Sequence, residues 1–238
     1  MQEGVNALRY REFPAPPGTG FACLWTHEHP AGAETARVQP VVPDGCVDLI
    51  WWARNAEVMV AGPDTGPRPA TLEPGDVLVG VRLLPGTAPP ALGVPADAVR
   101  DGRVPLRELW GPDADRLGEA VAGAEDRCAA FSEAVRARMT TPPDPLVTGL
   151  VASLERRSVR ETADSLGLGE RQLRRRTTAA FGYGPKTLQR VLRFQRALEL
   201  ARAGRPLADV AYATGYSDQA HMAHEVRDLA GAPIRALL

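Results

Sequence analysis

From Phe21 to about Leu84 the chain alternates short apolar runs with clusters of Pro, Gly and Asp. The runs at 21–27, 37–42, 46–52, 57–61 and 76–84 predict strands, with a weaker one at 70–72. Pro43-Asp44-Gly45, Gly62-Pro63-Asp64 and Pro74-Gly75-Asp76 predict the turns between them. Residues 1–20 show little periodicity and read as an extended arm with one or two short strands. After Leu84 the period changes. Pro105 opens a short helix, Leu106 to Trp110, and Gly111 stops it. From Asp113 to Met139 the apolar residues Leu117, Val121, Ala124, Cys128, Phe131, Val135 and Met139 form a near-heptad stripe. Gly123 and the pair Glu125-Asp126 leave open whether that stretch is one helix or two. The stripe fits either a dimer seam or a lid on its own domain.

Beyond Pro145 the chain reads as helical, and one pattern occurs there twice. The first copy is Ala163, Gly167, Leu168, Gly169, then Leu173. The second is Ala211, Gly215, Tyr216, Ser217, then Met222. Both the alanines and the first glycines lie 48 residues apart. A small Ala lets two helices cross closely, and Gly supplies the left-handed residue that ends the first of them. Ser158-Val159-Arg160-Glu161 fits a capping box, Pro206 suits a first helical turn, and Ser217 is placed to cap the last long helix. The outline is a doubled helix-turn-helix, whose second helix enters the DNA major groove.

Charge sharpens this picture. The net charge of −1 hides an asymmetry: residues 146–238 carry 15 Lys+Arg against 9 Asp+Glu, and the preceding residues carry 13 against 20. A basic C-terminal part beside an acidic N-terminal one fits a nucleic-acid reader joined to something else. The expected organisation is α+β. A β-rich barrel or sandwich with trailing helices spans 1–139, a Pro-rich linker 140–145, and an all-α double helix-turn-helix 146–238. No leader pattern and no membrane-length apolar run stands out, so a cytoplasmic protein is expected. Cys23, Cys46 and Cys128 have neither disulfide nor zinc spacing, and no cofactor or metal is expected.

Ala163 to Leu173, the stretch FGYGPKTLQRVLRFQRALELARAG (181–204) and LADVAYATGYSDQAH (207–221) resemble the DNA-binding domain of AraC/XylS-family transcription regulators. The resemblance covers about the last 90 residues. It departs at Met222 and Val226, where relatives usually carry Phe, and at Arg227-Asp228-Leu229, where they are more basic. PDGCVDLI (43–50), VRLLPG (81–86) and VPLRELWG (104–111) resemble the β-rich domain that precedes this type of reader in many bacterial regulators. Better-known sensor domains of the family are cupin-like barrels, which sets the fold expectation for the N-terminal part.

On a helix from Gly169 to Phe181, residues 171, 174, 175 and 178 share a face. The resemblance implies that Arg171, Arg174 and Arg175 reach base edges, with Gln172 beside them. On a helix from Ser217 to Leu229, Gln219, His221 and His224 are the candidate base contacts. Arg176, Lys186, Arg190, Arg193 and Ser217 are candidate phosphate contacts, which give affinity without sequence information. Leu188, Leu192, Leu198 and Ala201 should turn the connecting helix, Pro185 to Ala203, toward the core.

In the N-terminal part, strand alternation puts Cys46, Asp48, Ile50 and Trp52 on one face. Cys46, Asp48, Trp52 and Arg82 are the candidate effector site. A structural Asp48–Arg82 pair is the competing reading. So is a pure dimerisation or interaction module without an effector. A cysteine alkyl-transfer module is a third alternative, although Cys46 has no nearby His, and no enzymatic constellation is evident. His27-Glu28-His29 hints weakly at a metal. The expected partners are duplex promoter DNA, a small-molecule effector, RNA polymerase and a second copy of the chain. Activation is the family's commoner role.

Overall fold

The computed structural model describes residues 9–141 and 144–238. The expected arm therefore lies partly, and the expected linker centrally, outside the described residues. Among these, eight strands come first: β1 (Arg9–Pro14), β2 (Phe21–Glu28), β3 (Arg37–Gln39), β4 (Val47–Trp52), β5 (Glu57–Ala61), β6 (Ala70–Leu72), β7 (Val77–Leu83) and β8 (Arg103–Pro105). Six of them form one antiparallel sheet in the order β1-β2-β7-β4-β5-β8, and β3 pairs with β6 as a separate ribbon. The large sheet ends in two different edge strands. The β-rich part forms as expected, but of the barrel or sandwich the sequence allowed, a closed cupin-like barrel is corrected to an open sheet. Closure would need β1 to pair with β8, a non-local choice that no strand's own pattern encodes.

Alternation along β4 sorts the two faces. Val47, Leu49 and Trp51 are buried, while Asp48, Ile50 and Trp52 point to the other, half-covered side. Four helices cover the first face: α1 (Ala88–Leu92), α2 (Arg107–Trp110), α3 (Pro112–Gly123) and α4 (Arg127–Arg138). The expected stripe is split at Ala124, and Asp126 caps α4 by accepting from the Ala129 amide at 2.9 Å. Leu117, Val121, Phe131 and Val135 are buried in the same core as Leu49, Trp51 and Val81. Burying each such side chain stabilises by about 1.5–3 kcal/mol. The stripe thus closes its own sheet and is not left free as a dimer seam.

The C-terminal part is helical: α5 (Pro145–Leu154), α6 (Val159–Ser165), α7 (Glu170–Phe181), α8 (Pro185–Arg202), α9 (Leu207–Ala213) and α10 (Gln219–Ala230). The Ser158–Glu161 capping box forms in both directions. Gly167 and Gly215 take φ of 63° and 78°, the left-handed backbone the repeat required. Leu188, Leu192, Leu198 and Ala201 face one core with Leu173 and Met222. Pro206 stands one residue before α9 rather than within its first turn, and of the two residues read as capping candidates, Ser217 and Asp218, it is Asp218 that caps α10. Asp218 wins because its carboxylate accepts the His221 amide at 2.7 Å. Among the described residues no helix is long and apolar enough to cross a membrane.

Candidate nucleic-acid interface

The inward side of α7 is set by Leu173, Thr177 and Phe181, each no more than 1% exposed. Thr177 hides its hydroxyl by donating to the Leu173 carbonyl at 2.8 Å. The helical period then forces Arg171, Arg174 and Arg175 outward. Among the described residues none of the three makes an ion pair. Together with Gln172 and Thr178 they line an open cleft of about 770 Å³, whose opposite wall carries Pro95 and Asp97. Gln172 also reaches back, accepting from the Gly169 amide at 3.4 Å. Arg176 leans away, 3.9 Å from Asp144.

On α10 the polar groups are arranged differently. His221 is exposed, yet its Nδ1 lies 3.0 Å from Ser217 Oγ and its ring stands edge-on to Tyr216 at 5.3 Å. These contacts tie His221 and Ser217 to the turn. His224 points outward with Nε2 3.6 Å from Asp228, and Gln219 is exposed in the first turn.

Of the four cations expected on phosphates besides Ser217, Lys186 is exposed. Arg190 and Arg193 both reach Glu225, at 3.2 and 2.8 Å, and the Arg193 guanidinium lies over the Tyr216 ring at 4.5 Å. Burial works against the Glu225 charge, but Arg193 and Arg190 hold its carboxyl below the ordinary value. Sequence reading missed Glu225. The available signal was its place one residue before Val226, on the inward side of α10.

On the half-covered face of the sheet, Asp48 and Arg82 are register partners. Arg82 Nε donates to Asp48 at 3.1 Å, and Trp25 Nε1 donates to the same oxygen at 2.8 Å. Asp44 and Glu12 each stand 3.8 Å from Arg82. Burial raises the Asp48 carboxyl, with Arg82 and Trp25 pulling the other way. It pushes the Cys23 thiol to about 11 and the Cys46 thiol well above its ordinary value, the reverse of an activated nucleophile. Cys46 is beside this cluster, where its amide donates to Asp44 at 2.9 Å. Trp52 is not: it sits four residues from Asp48 along β4, about 13 Å away by strand rise, with Arg54 stacked on it.

The helical part rests on this end of the sheet. Gln195 donates to the Pro43 carbonyl at 2.6 Å and Arg100 to the Gly182 carbonyl at 3.1 Å. A Cβ on Gly86 would overlap Val147 and Phe181, so only glycine lets the two parts meet there. Tyr183, 2% exposed, brings its hydroxyl to Gly45. Residues 43–46 and 85–86, from the motifs singled out in the sequence, are thus the seat of the end of α7.

Residues 162–238 match the family described as Helix-turn-helix domain, and residues 21–105 match the family described as Domain of unknown function (DUF6597). The C-terminal part belongs to the AraC type of helix-turn-helix domain, and the chain is a DNA-binding transcription regulator. No curated protein matches it. Among solved structures, ToxT from Vibrio cholerae aligns over 84% of this chain and 94% of its own, at 9% identity and a TM-score of 0.44. An apo ToxT variant aligns over 97% and 95%, at 10% identity and 0.45. A third ToxT structure, bound to an unsaturated fatty acid, aligns over 85% and 94%, at 10% identity and 0.43. At that level the likeness says nothing about the role of any residue.

Proposed function

We propose that this regulator places α7 and α10 in two successive major grooves on one DNA face. It is organised as a sensing part (1–139), a linker (140–145) and a reader (146–238), and works in the cytoplasm. The observation that carries this reading is the outward row of Arg171, Arg174 and Arg175 without ion pairs among the described residues. A guanidinium so presented can bond guanine O6 and N7 bidentately, for about 1–3 kcal/mol of discrimination per pair. His224 and Arg227 are the second helix's outward polar groups and Gln219 is exposed in its first turn, while Gln172 and His221 orient the helix starts. Lys186, Arg176 and the exposed edge of Arg190 approach phosphates. Arg193 acts through Glu225 and Tyr216, fixing α8 against α10.

The Arg82–Asp48 cluster beside Cys46 is the effector-responsive element of this reading. It adjoins the Asp44–Gly45 turn on which Tyr183 rests, one residue beyond the C-cap of α7. The same seat sets how closely Asp97 faces the reading arginines, so a ligand that reshapes it alters access to the groove. The alternative, a sheet that only docks the reader, is favoured by the completeness of the Asp48 hydrogen bonds. Recruitment of RNA polymerase and pairing of two chains belong to the same proposal, and sedimentation of the full chain tests the second.

Selection from a random duplex pool tests the central point. Arg174→Ala should lower affinity for the selected sequence roughly 10- to 100-fold, as loss of one bidentate pair implies, and relax one base position. Unchanged base preferences would overturn the assignment.

A further inference from the structure

The two reading helices differ in register, and the difference changes what they can recognise. The small-residue pattern repeats at 48 residues, but the helices themselves repeat at 49: α7 starts at Glu170 behind Gly169, and α10 at Gln219 behind Asp218. The second turn is one residue longer. Burial fixes the alignment. Leu173 and Met222 are both 0% exposed, and so are Thr177 and Val226. Counted from the helix starts, Ala220 and Ala223 therefore stand where the first helix has Arg171 and Arg174. His224 stands in place of Arg175, and Arg227 in place of Thr178. Three guanidiniums and a hydroxyl on one outward face become two methyls, one imidazole and one guanidinium.

Gln172 and His221 occupy the same third helical position, and both bond back toward their own turn, at 3.4 Å to Gly169 and 3.0 Å to Ser217. Neither extends the outward row. The carboxylate at the next inward position of α10, Glu225, is held by Arg190 and Arg193. The outward chemistry of α10 thus rests on Ala220, Ala223, His224 and Arg227.

We propose that the two helices read different base chemistry. α7 selects guanines through its arginines. α10 selects thymines, whose C5-methyl groups pack against Ala220 and Ala223, with Arg227 as its only guanidinium toward the far end of the site. This rests on the groove reading above and adds a direction: the recognised site is asymmetric, guanine-bearing under α7 and thymine-bearing under α10.

The test uses the full wild-type chain and a site selected from random duplex. Deoxyuridine is placed for thymine at each position of one half-site at a time. Where α10 lies, each methyl removed should weaken binding about fourfold, the fold-change carried by burial of one methyl-sized group. Deoxyuridine in the α7 half should leave binding unchanged. Ala223→Arg, a surface change on α10, should shift selection in the thymine half toward guanine and leave the other half as it was. Equal guanine preference in both halves, or indifference to deoxyuridine in the half that Ala223→Arg affects, would overturn the asymmetry while leaving groove reading intact. Absence of any selected sequence would overturn groove reading, and this inference with it.

Discussion

In α7 the arginines at 171, 174 and 175 face an open cleft, whereas α10 turns Glu225, which stands where α7 has Arg176, inward onto Arg190 and Arg193. The first unit leaves its charge available to a ligand. The second uses much of its charge to hold helices together. Capping follows the same division: a carboxylate side chain, Asp218, caps α10, whereas α7 begins behind a glycine that offers no side-chain cap, with Glu170 as its first residue. A shared backbone plan therefore does not imply a shared role. On the proposed reading, an arginine is fully available to bases only where no carboxylate holds it, as at Arg171, Arg174 and Arg175.

The largest expected effect breaks the second unit. Glu225→Ala should cost about 2–3 kcal/mol of stability, less than the roughly 3–5 kcal/mol for breaking a fully buried ion pair, because both guanidiniums keep some contact with water. Denaturant unfolding measures it. The Glu225 carboxyl is held below its ordinary value, so its contribution is complete above pH 4.5 and is lost as pH falls below that. Glu225→Gln should flatten this acid limb. By contrast, Arg174→Ala should leave stability within about 0.5 kcal/mol while lowering specific DNA affinity. A variant that did both would erase the division between the two units.

Smaller effects sharpen the comparison. Asp218→Ala should cost about 1 kcal/mol through loss of the cap. Gly169→Ser should gain a few tenths of a kcal/mol, because the φ of −70° and the open space around Gly169 accept a side chain. Thermal unfolding of the two variants side by side decides whether the caps differ as described.

Much of the helical part was legible because its signals are local. Ser158 and Glu161 meet within one turn, and Gly167 and Gly215 each act on their own backbone. The strands were legible for the same reason, since alternation at Val47 to Trp52 sorts two faces without reference to the rest of the chain. What stayed hidden was non-local. Nothing near Asp48 announces Trp25 as its second donor, and nothing near Gly86 announces Phe181. The edges of the sheet depend on which strands never meet. The one-residue shift of α10 was hidden differently: Ser217 and Asp218 are both good caps, and only the geometry of the His221 amide chooses between them. That shift separated the expected readers, moving His221 back to the turn and bringing Arg227 onto the outward face.

The central claim, that α7 and α10 read duplex DNA through the chemistry of their outward faces, is tested most directly by one measurement. Selection from a random duplex pool by the full chain should enrich a single asymmetric sequence, with guanines whose preference is lost in Arg174→Ala. A pool that emerges without enrichment, or an enriched sequence that Arg174→Ala selects equally well, would contradict it.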